Sequence, residues 1–181
     1  MKQRMCSLFL ALVLLLSLAV PAAAAGTMPF TDVKESDWFY SYVKTMYDNE
    51  LVSGTTPTTF SPQDTVTLGE ALKFVLNAAG YTAPTTSGKN WASGYYQLAQ
   101  EKGFLNSSWS LGLNDAINRL QIAELIVNVL GVERKQQTAS PFTDTSDVAA
   151  LILSDHGIFE GTTDRDGKTY FSPQRNIPRA E

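Results

Sequence analysis

Two arginines carry the clearest chemistry in this 181-residue chain. Arg119 and Arg179 each fall in the first turn of a predicted helix, beside backbone N–H groups with no intrahelical acceptor and at the positive end of the helix dipole. A guanidinium there makes a small anion site, and its planar fork grips a carboxylate through two parallel hydrogen bonds. Read alone, each is also an ordinary exposed arginine, whose removal is expected to leave helical content nearly unchanged. Trp38 and Trp91 open two other predicted helices, where a large aromatic serves either core packing or an exposed stacking face.

Catalytic readings find little support. There is no G-x-S-x-G elbow, no H-E-x-x-H and no phosphate-cradling glycine loop. His156 is the sole histidine and has no second histidine with which to share a metal. Asp164, Asp166 and Gly167 resemble part of a calcium loop but lack the closing glutamate, so they predict a turn. Asn106-Ser107-Ser108 fits a glycosylation sequon and is assigned no role. Glu70 and Glu181 could pass for a catalytic pair, yet each sits at a helix-capping position. No enzyme, cofactor or metal site is expected.

The elements that must position the arginines repeat. Phe60-Ser61-Pro62-Gln63 with Val66 and Glu70 recurs as Phe171-Ser172-Pro173-Gln174 with Ile177 and Glu181, at an offset of 111. A weaker copy lies at an offset of 51, where Leu111, Leu113, Ile117 and Gln121 replace Phe60, Pro62, Val66 and Glu70. Leu68, Ala71, Leu72, Val75, Leu76 and Ala79 follow the 3, 4 spacing of an apolar helical face. Thr67 with Glu70 forms a capping box, Asn118 with Gln121 a looser one, and Pro178 suits an early helical position. Gly80 and Gly131 end the first two helices. An earlier helix also repeats, from Trp38 to Leu51, from Trp91 to Phe104 and from Val148 to Phe159, the last preceded by Phe142-Thr143-Asp144 as Phe30-Thr31-Asp32 precedes the first. Polar stretches at 82–88 and 133–140 read as linkers.

The first 25 residues stand apart. Lys2 and Arg4 precede an apolar run from Leu8 to Val20, followed by Pro21 and an Ala-x-Ala flank ending at Ala25, which is the pattern of a secretory signal peptide. The run is too short to span a bilayer, and no other segment is expected to enter a membrane. The only cysteine, Cys6, would leave with the signal, so the mature chain is expected to hold together without disulfides. Cleavage leaves 12 basic against 18 acidic residues, a net charge of −6, which argues against nucleic acid or an anionic membrane as a partner.

Phe30-Thr31-Asp32-Val33, a tryptophan opening a helix, a Phe-x-Pro turn and Ile177-Pro178-Arg179-Ala180-Glu181 together resemble the S-layer homology repeat, over roughly residues 30 to 181. The resemblance implies an all-α fold of three helix-loop-helix repeats in a pseudo-threefold bundle: a signal peptide over 1–25, repeats over 26–81 and 82–132, a linker over 133–141 and an incomplete third repeat over 142–181. It implies a secreted protein of the cell surface, cell wall or S-layer, whose partner is a secondary cell-wall polysaccharide or other peptidoglycan-associated polymer, often pyruvylated. The motif arginine falls on Arg119 and Arg179 but on Leu68 in the first repeat. With Trp38 and Trp91 stacking against sugar faces, the two arginines form the implied glycan site. A structural or protein-interaction module without glycan binding, and the anchor part of a longer surface enzyme, remain open alternatives. Because the third unit stops at Glu181, before a second helix, Leu72, Val75, Ile126 and Val127 are expected to be partly uncovered.

Overall fold

A computed structural model describes residues 28–85, 90–135 and 139–181; the expected signal peptide, Cys6 and parts of both linkers lie outside the described residues. The described chain is mostly helical, with α1 Tyr40–Asp48, α2 Leu68–Ala78, α3 Ser93–Glu101, α4 Arg119–Leu130 and α5 Val148–Asp155. A hairpin of β1 Thr162–Thr163 and β2 Thr169–Tyr170 departs from the all-α expectation. Its turn forms because the Asp164 carboxylate accepts from the N–H groups of Asp166 and Lys168 while Gly167 takes a φ of +77°. None of the described helices is long and apolar enough to cross a membrane.

The helix boundaries follow from their caps. Thr67 and Glu70 bond reciprocally at the start of α2, and Asn118 and Gln121 do the same for α4. Just past α2, Gly80 has a φ of +80°, and α4 ends at Gly131 with a φ of +61°, a conformation that L side chains resist. The first helices are shorter than the sequence match suggested; α1 and α3 have no side-chain N-cap, while Asp147 caps α5 through Ala149.

At the centre, segments that precede the capped turns hydrogen-bond to one another. The N–H of Val66 donates to Ile177 at 2.8 Å, and that of Ile117 donates to Val66 at 3.0 Å. Each capped turn then lies across a loop from elsewhere in the chain. Leu68 and Gly69 donate to Asp115 and Leu113, Arg119 and Leu120 to Arg175 and Pro173, and Arg179 and Ala180 to Asp64 and Pro62. The same two-bond contact is thus made at three places, linking α2 to the loop before α4, α4 to the loop before Ile177, and the 179–180 turn back to the loop before α2. Val66, Ile117 and Ile177 sit together at 3%, 0% and 2% exposure, in a core shared with Leu72, Leu76 and Leu125. Leu72 is fully buried, contrary to expectation, in a cluster that takes in Ala99 of α3 and Leu125 and Val129 of α4. Val75, Ile126 and Val127 are half-buried, and Val75 and Ile126 line an apolar groove of about 470 Å³.

The Phe-x-Pro loops are held by a device that the sequence suggested only as an echo. The Asp32 carboxylate accepts from the N–H groups of Phe60 and Ser61 at 2.8 and 2.7 Å, and Asp144 accepts from Phe171 and Ser172, both at 2.8 Å. These bonds hold Ser61 and Ser172 at φ values of +60° and +61°. Beside each clamp a glycine admits no side chain: a Cβ on Gly54 would lie 2.4 Å from the carbonyl oxygens of Thr56 and Thr59, and one on Gly161 2.9 Å from Tyr170 O.

Gly54→Ala is accordingly expected to destabilise by roughly 1–3 kcal/mol, since backbone must move to admit the methyl, and thermal unfolding measures it. Burial acts to raise the pKa of Asp32, but the N–H groups of Phe60 and Ser61 outweigh it, so the carboxyl titrates below its ordinary value. Its contribution is present above the unfolded-state pKa of about 4 and is lost as pH falls through the lower folded value. Asp32→Asn should therefore lower stability at neutral pH and shrink the loss seen between neutral and acid conditions.

Candidate functional site

Arg179 is 8% exposed, sandwiched between the rings of Phe60 and Phe74 with its guanidinium carbon 4.8 and 5.3 Å from their centroids. Its Nε donates to Phe60 O at 2.8 Å, Nη2 to Ser53 O at 3.0 Å, and Nη1 to the Glu70 carboxylate. Glu70 spends its other oxygen on the N–H and hydroxyl of Thr67. The capping glutamate of α2 is thus also the counter-ion of an arginine 109 positions away.

Arg119 repeats the arrangement one junction along. It is 7% exposed, lies 4.6 and 4.9 Å from the rings of Phe159 and Phe171, and bonds Glu160 O and the Glu181 carboxylate. Glu181 also accepts from Arg175 at 2.7 Å. Burial, then the neighbouring Arg175 charge, lowers the pKa of Arg119, and its Nε is buried without a hydrogen-bond partner. The sequence placed both arginines on exposed turns; each is instead covered by the next Phe-x-Pro loop. At the third junction both members of the pair are replaced together, with Leu68 at the arginine position and Gln121 at the glutamate position. Leu68 is buried at 2% exposure and lines a groove with Leu105, Leu111 and Trp109.

Each junction opens into a groove at the surface. The one over Arg179 is lined by Ser53, Gly54, Thr55, Glu70, Lys73, Phe74 and Trp91. Trp91 is 59% exposed and carries the Lys73 ammonium 5.9 Å from its ring centroid. Lys73 Nζ donates to Ser53 Oγ at 2.7 Å; its pKa is lowered, by burial first and by Arg179 second. Trp38 is 67% exposed at the start of α1 and meets Phe39 edge-on. The structure therefore brings Arg179 and Trp91 together and leaves Arg119 and Trp38 apart from them. Ser53 and Lys73 were not foreseen, although the repeat alignment carries a signal: Lys73 matches Glu124, a reversal of charge, and Glu124 accepts from Asn106 and Trp109 as Lys73 donates to Ser53. Among the described residues no group of histidine, cysteine, aspartate or glutamate side chains could hold a metal.

Small helical units are thus clasped through two buried arginine–glutamate pairs, with open grooves beside them. Residues 29–72 match the family model of the S-layer homology domain. Over 97% of its length the chain is 32% identical to an endoglucanase of Bacillus sp. (strain KSM-635), covering 21% of that protein. It is 34% identical to the middle cell wall protein of Brevibacillus brevis over 60% of this chain and 10% of that one. It is 28% identical to the surface-layer 125 kDa protein of Lysinibacillus sphaericus over 52% of this chain and 9% of that one. The chain thus spans about a fifth or less of these relatives. The domain and its cell-wall and surface-layer relatives mark a secreted protein of the cell surface.

Removing one partner of a buried pair leaves the other charge uncompensated, at a cost of roughly 3–5 kcal/mol. Arg179→Ala should therefore lower the thermal midpoint steeply and reduce helical content, whereas Leu68→Met should change it little. A midpoint for Arg179→Ala equal to the parent's would contradict the burial of this side chain.

Proposed function

We propose that residues 26–81, 82–132 and 142–181 are three S-layer-homology-like repeats closed around a pseudo-threefold axis, and that together they anchor an exported protein non-covalently to a secondary cell-wall polymer. The single observation that carries this reading is the junction made three times over, Leu68 on Asp115, Arg119 on Arg175, and Arg179 on Asp64, which extends the pattern of residues 29–72 through the rest of the chain. The names of the cell-wall and surface-layer relatives support the same partner. The endoglucanase relative, matched over a fifth of its length, supports the role of anchor within a longer surface enzyme, with any catalysis lying outside the matched part. In this reading Arg119 and Arg179 form the floors of glycan grooves, and Trp38 and Trp91 offer faces for sugar rings. The polymer is a pyruvylated glycan, whose ketal carboxylate answers the cationic groove.

One observation favours a structural or protein-interaction module instead: the bonds of both arginines go to groups inside the protein. Sedimentation with purified cell-wall sacculi separates the two readings. The chain should co-sediment with intact sacculi and remain in the supernatant once the secondary polymer has been stripped chemically. Equal binding to stripped sacculi would favour the interaction module. Trp91→Ala should weaken the association about tenfold with unchanged helical content, because this ring is mostly solvent-exposed.

A further inference from the structure

The residue that closes each capped turn is held differently at each junction. Glu70 is fixed to its own helix start: its Oε2 accepts from the N–H and hydroxyl of Thr67 at 2.9 and 3.1 Å, while Oε1 meets Arg179. Gln121 is fixed likewise, accepting from the N–H of Asn118 at 3.0 Å. At the third start the capping position is Pro178, which has neither an N–H nor a hydroxyl to donate. The Glu181 carboxylate is therefore untethered from its own turn, and among the described residues it accepts only from two guanidinium groups. Both reach the same oxygen, Oε1: Nη1 of the buried Arg119, and Nη2 of Arg175, which lies at 2.7 Å and keeps 45% of its side chain exposed. Arg119 is also the less completely answered of the two buried arginines, since its Nε has no acceptor whereas that of Arg179 donates to Phe60 O. One carboxylate shared between a buried cation and a surface cation can be drawn to either.

We infer that Glu181 is a movable counter-ion and that the Arg119 junction is a latch, which opens when the carboxylate swings to Arg175 while the Leu68 junction stays shut. Losing Glu181 leaves Arg119 a buried charge short of a second acceptor. The loop at Pro173 and Arg175 then parts from the N–H groups of Leu120 and Arg119, and water reaches the guanidinium. Pro178 leaves the carboxylate loose, and Arg175 draws it outward. The difference lies in the side chains, because the backbone bonds of the two junctions are alike, 2.9 and 3.0 Å at Arg119 and Leu120 against 2.9 Å at both Leu68 and Gly69. The latch acts whatever the groove binds, so it does not depend on the anchoring function proposed above.

Amide hydrogen exchange of the full chain, followed by NMR, tests the latch. The N–H groups of Leu68 and Gly69 are the internal standard, since they hold the same positions in α2 as Arg119 and Leu120 in α4. In the parent, Arg119 and Leu120 should be at least about tenfold less protected, the mark of an opening confined to that junction. Pro178→Thr restores a capping box with Glu181 and should raise their protection toward the standard. Arg175→Met should raise it too, although it deletes an ion pair, whereas Arg175→Lys keeps the charge and should leave it low. Equal protection at the two junctions of the parent would overturn the latch. So would unchanged or lower protection in Arg175→Met, the result expected if Arg175 merely braced the junction. Unchanged protection in Pro178→Thr would overturn the part given to Pro178. Should that variant lose protection at all four amides, its fold is loosened and the two Arg175 variants decide alone.

Discussion

Two guanidinium groups buried between units govern how this chain can be arranged. A charge with only 8% of its residue exposed survives in a folded protein only if its N–H groups are answered. For Arg179 the answers come from Phe60, Ser53 and Glu70, none of them near it in sequence. The loop bearing Phe60 must therefore be shaped before it can receive the arginine. Asp32 does that shaping, by drawing the N–H groups of Phe60 and Ser61 onto one carboxylate. Gly54 lets the neighbouring strand of the loop approach without a side chain in the way. Glu70 serves two purposes at once, closing the end of α2 and neutralising the arginine, which ties the start of a helix to the clasp between units.

The three junctions show two solutions to one packing problem. Where the incoming side chain is arginine, it meets phenylalanine, a backbone carbonyl and the glutamate at the motif's capping position. Where it is leucine, the loop offers Leu111 and the glutamate position becomes Gln121. Replacing a buried ion pair by apolar contact is often neutral for stability, provided that both charges go together. The chemistry left at the surface is not neutral, since the apolar junction loses the cationic floor.

Much of this was legible in the sequence because it is local. Both capping boxes, the stops at Gly80 and Gly131 and the turn at Asp164 and Gly167 are decided within a few residues, and the structure shows each where the sequence put it. What is decided at a distance was not legible. An arginine in a first helical turn looks exposed until the loop that covers it is known, and that loop lies up to 126 positions away. The tryptophans misled in the opposite direction. Aromatics at helix starts usually pack inward, but in α1 and α3 the inward positions belong to Phe39, Val43, Ala92 and Ala99, leaving Trp38 and Trp91 outside. The burial of Leu72 depended on α3 and α4 together, which no reading of α2 alone could supply.

The clasp between Arg179 and Glu70 joins parts of the fold 109 positions apart, and this has a kinetic meaning. Contacts 109 to 126 residues apart close large loops, which folds slowly relative to helix formation. A chain exported from its amino end presents Phe60 and Glu70 outside the cell well before residue 179 follows. Until then the receiving loop waits with its ring and carboxylate unoccupied. In a chain that emerges amino end first, the order of emergence sets the order in which these parts meet, and the clasp closes only after residue 179 has followed.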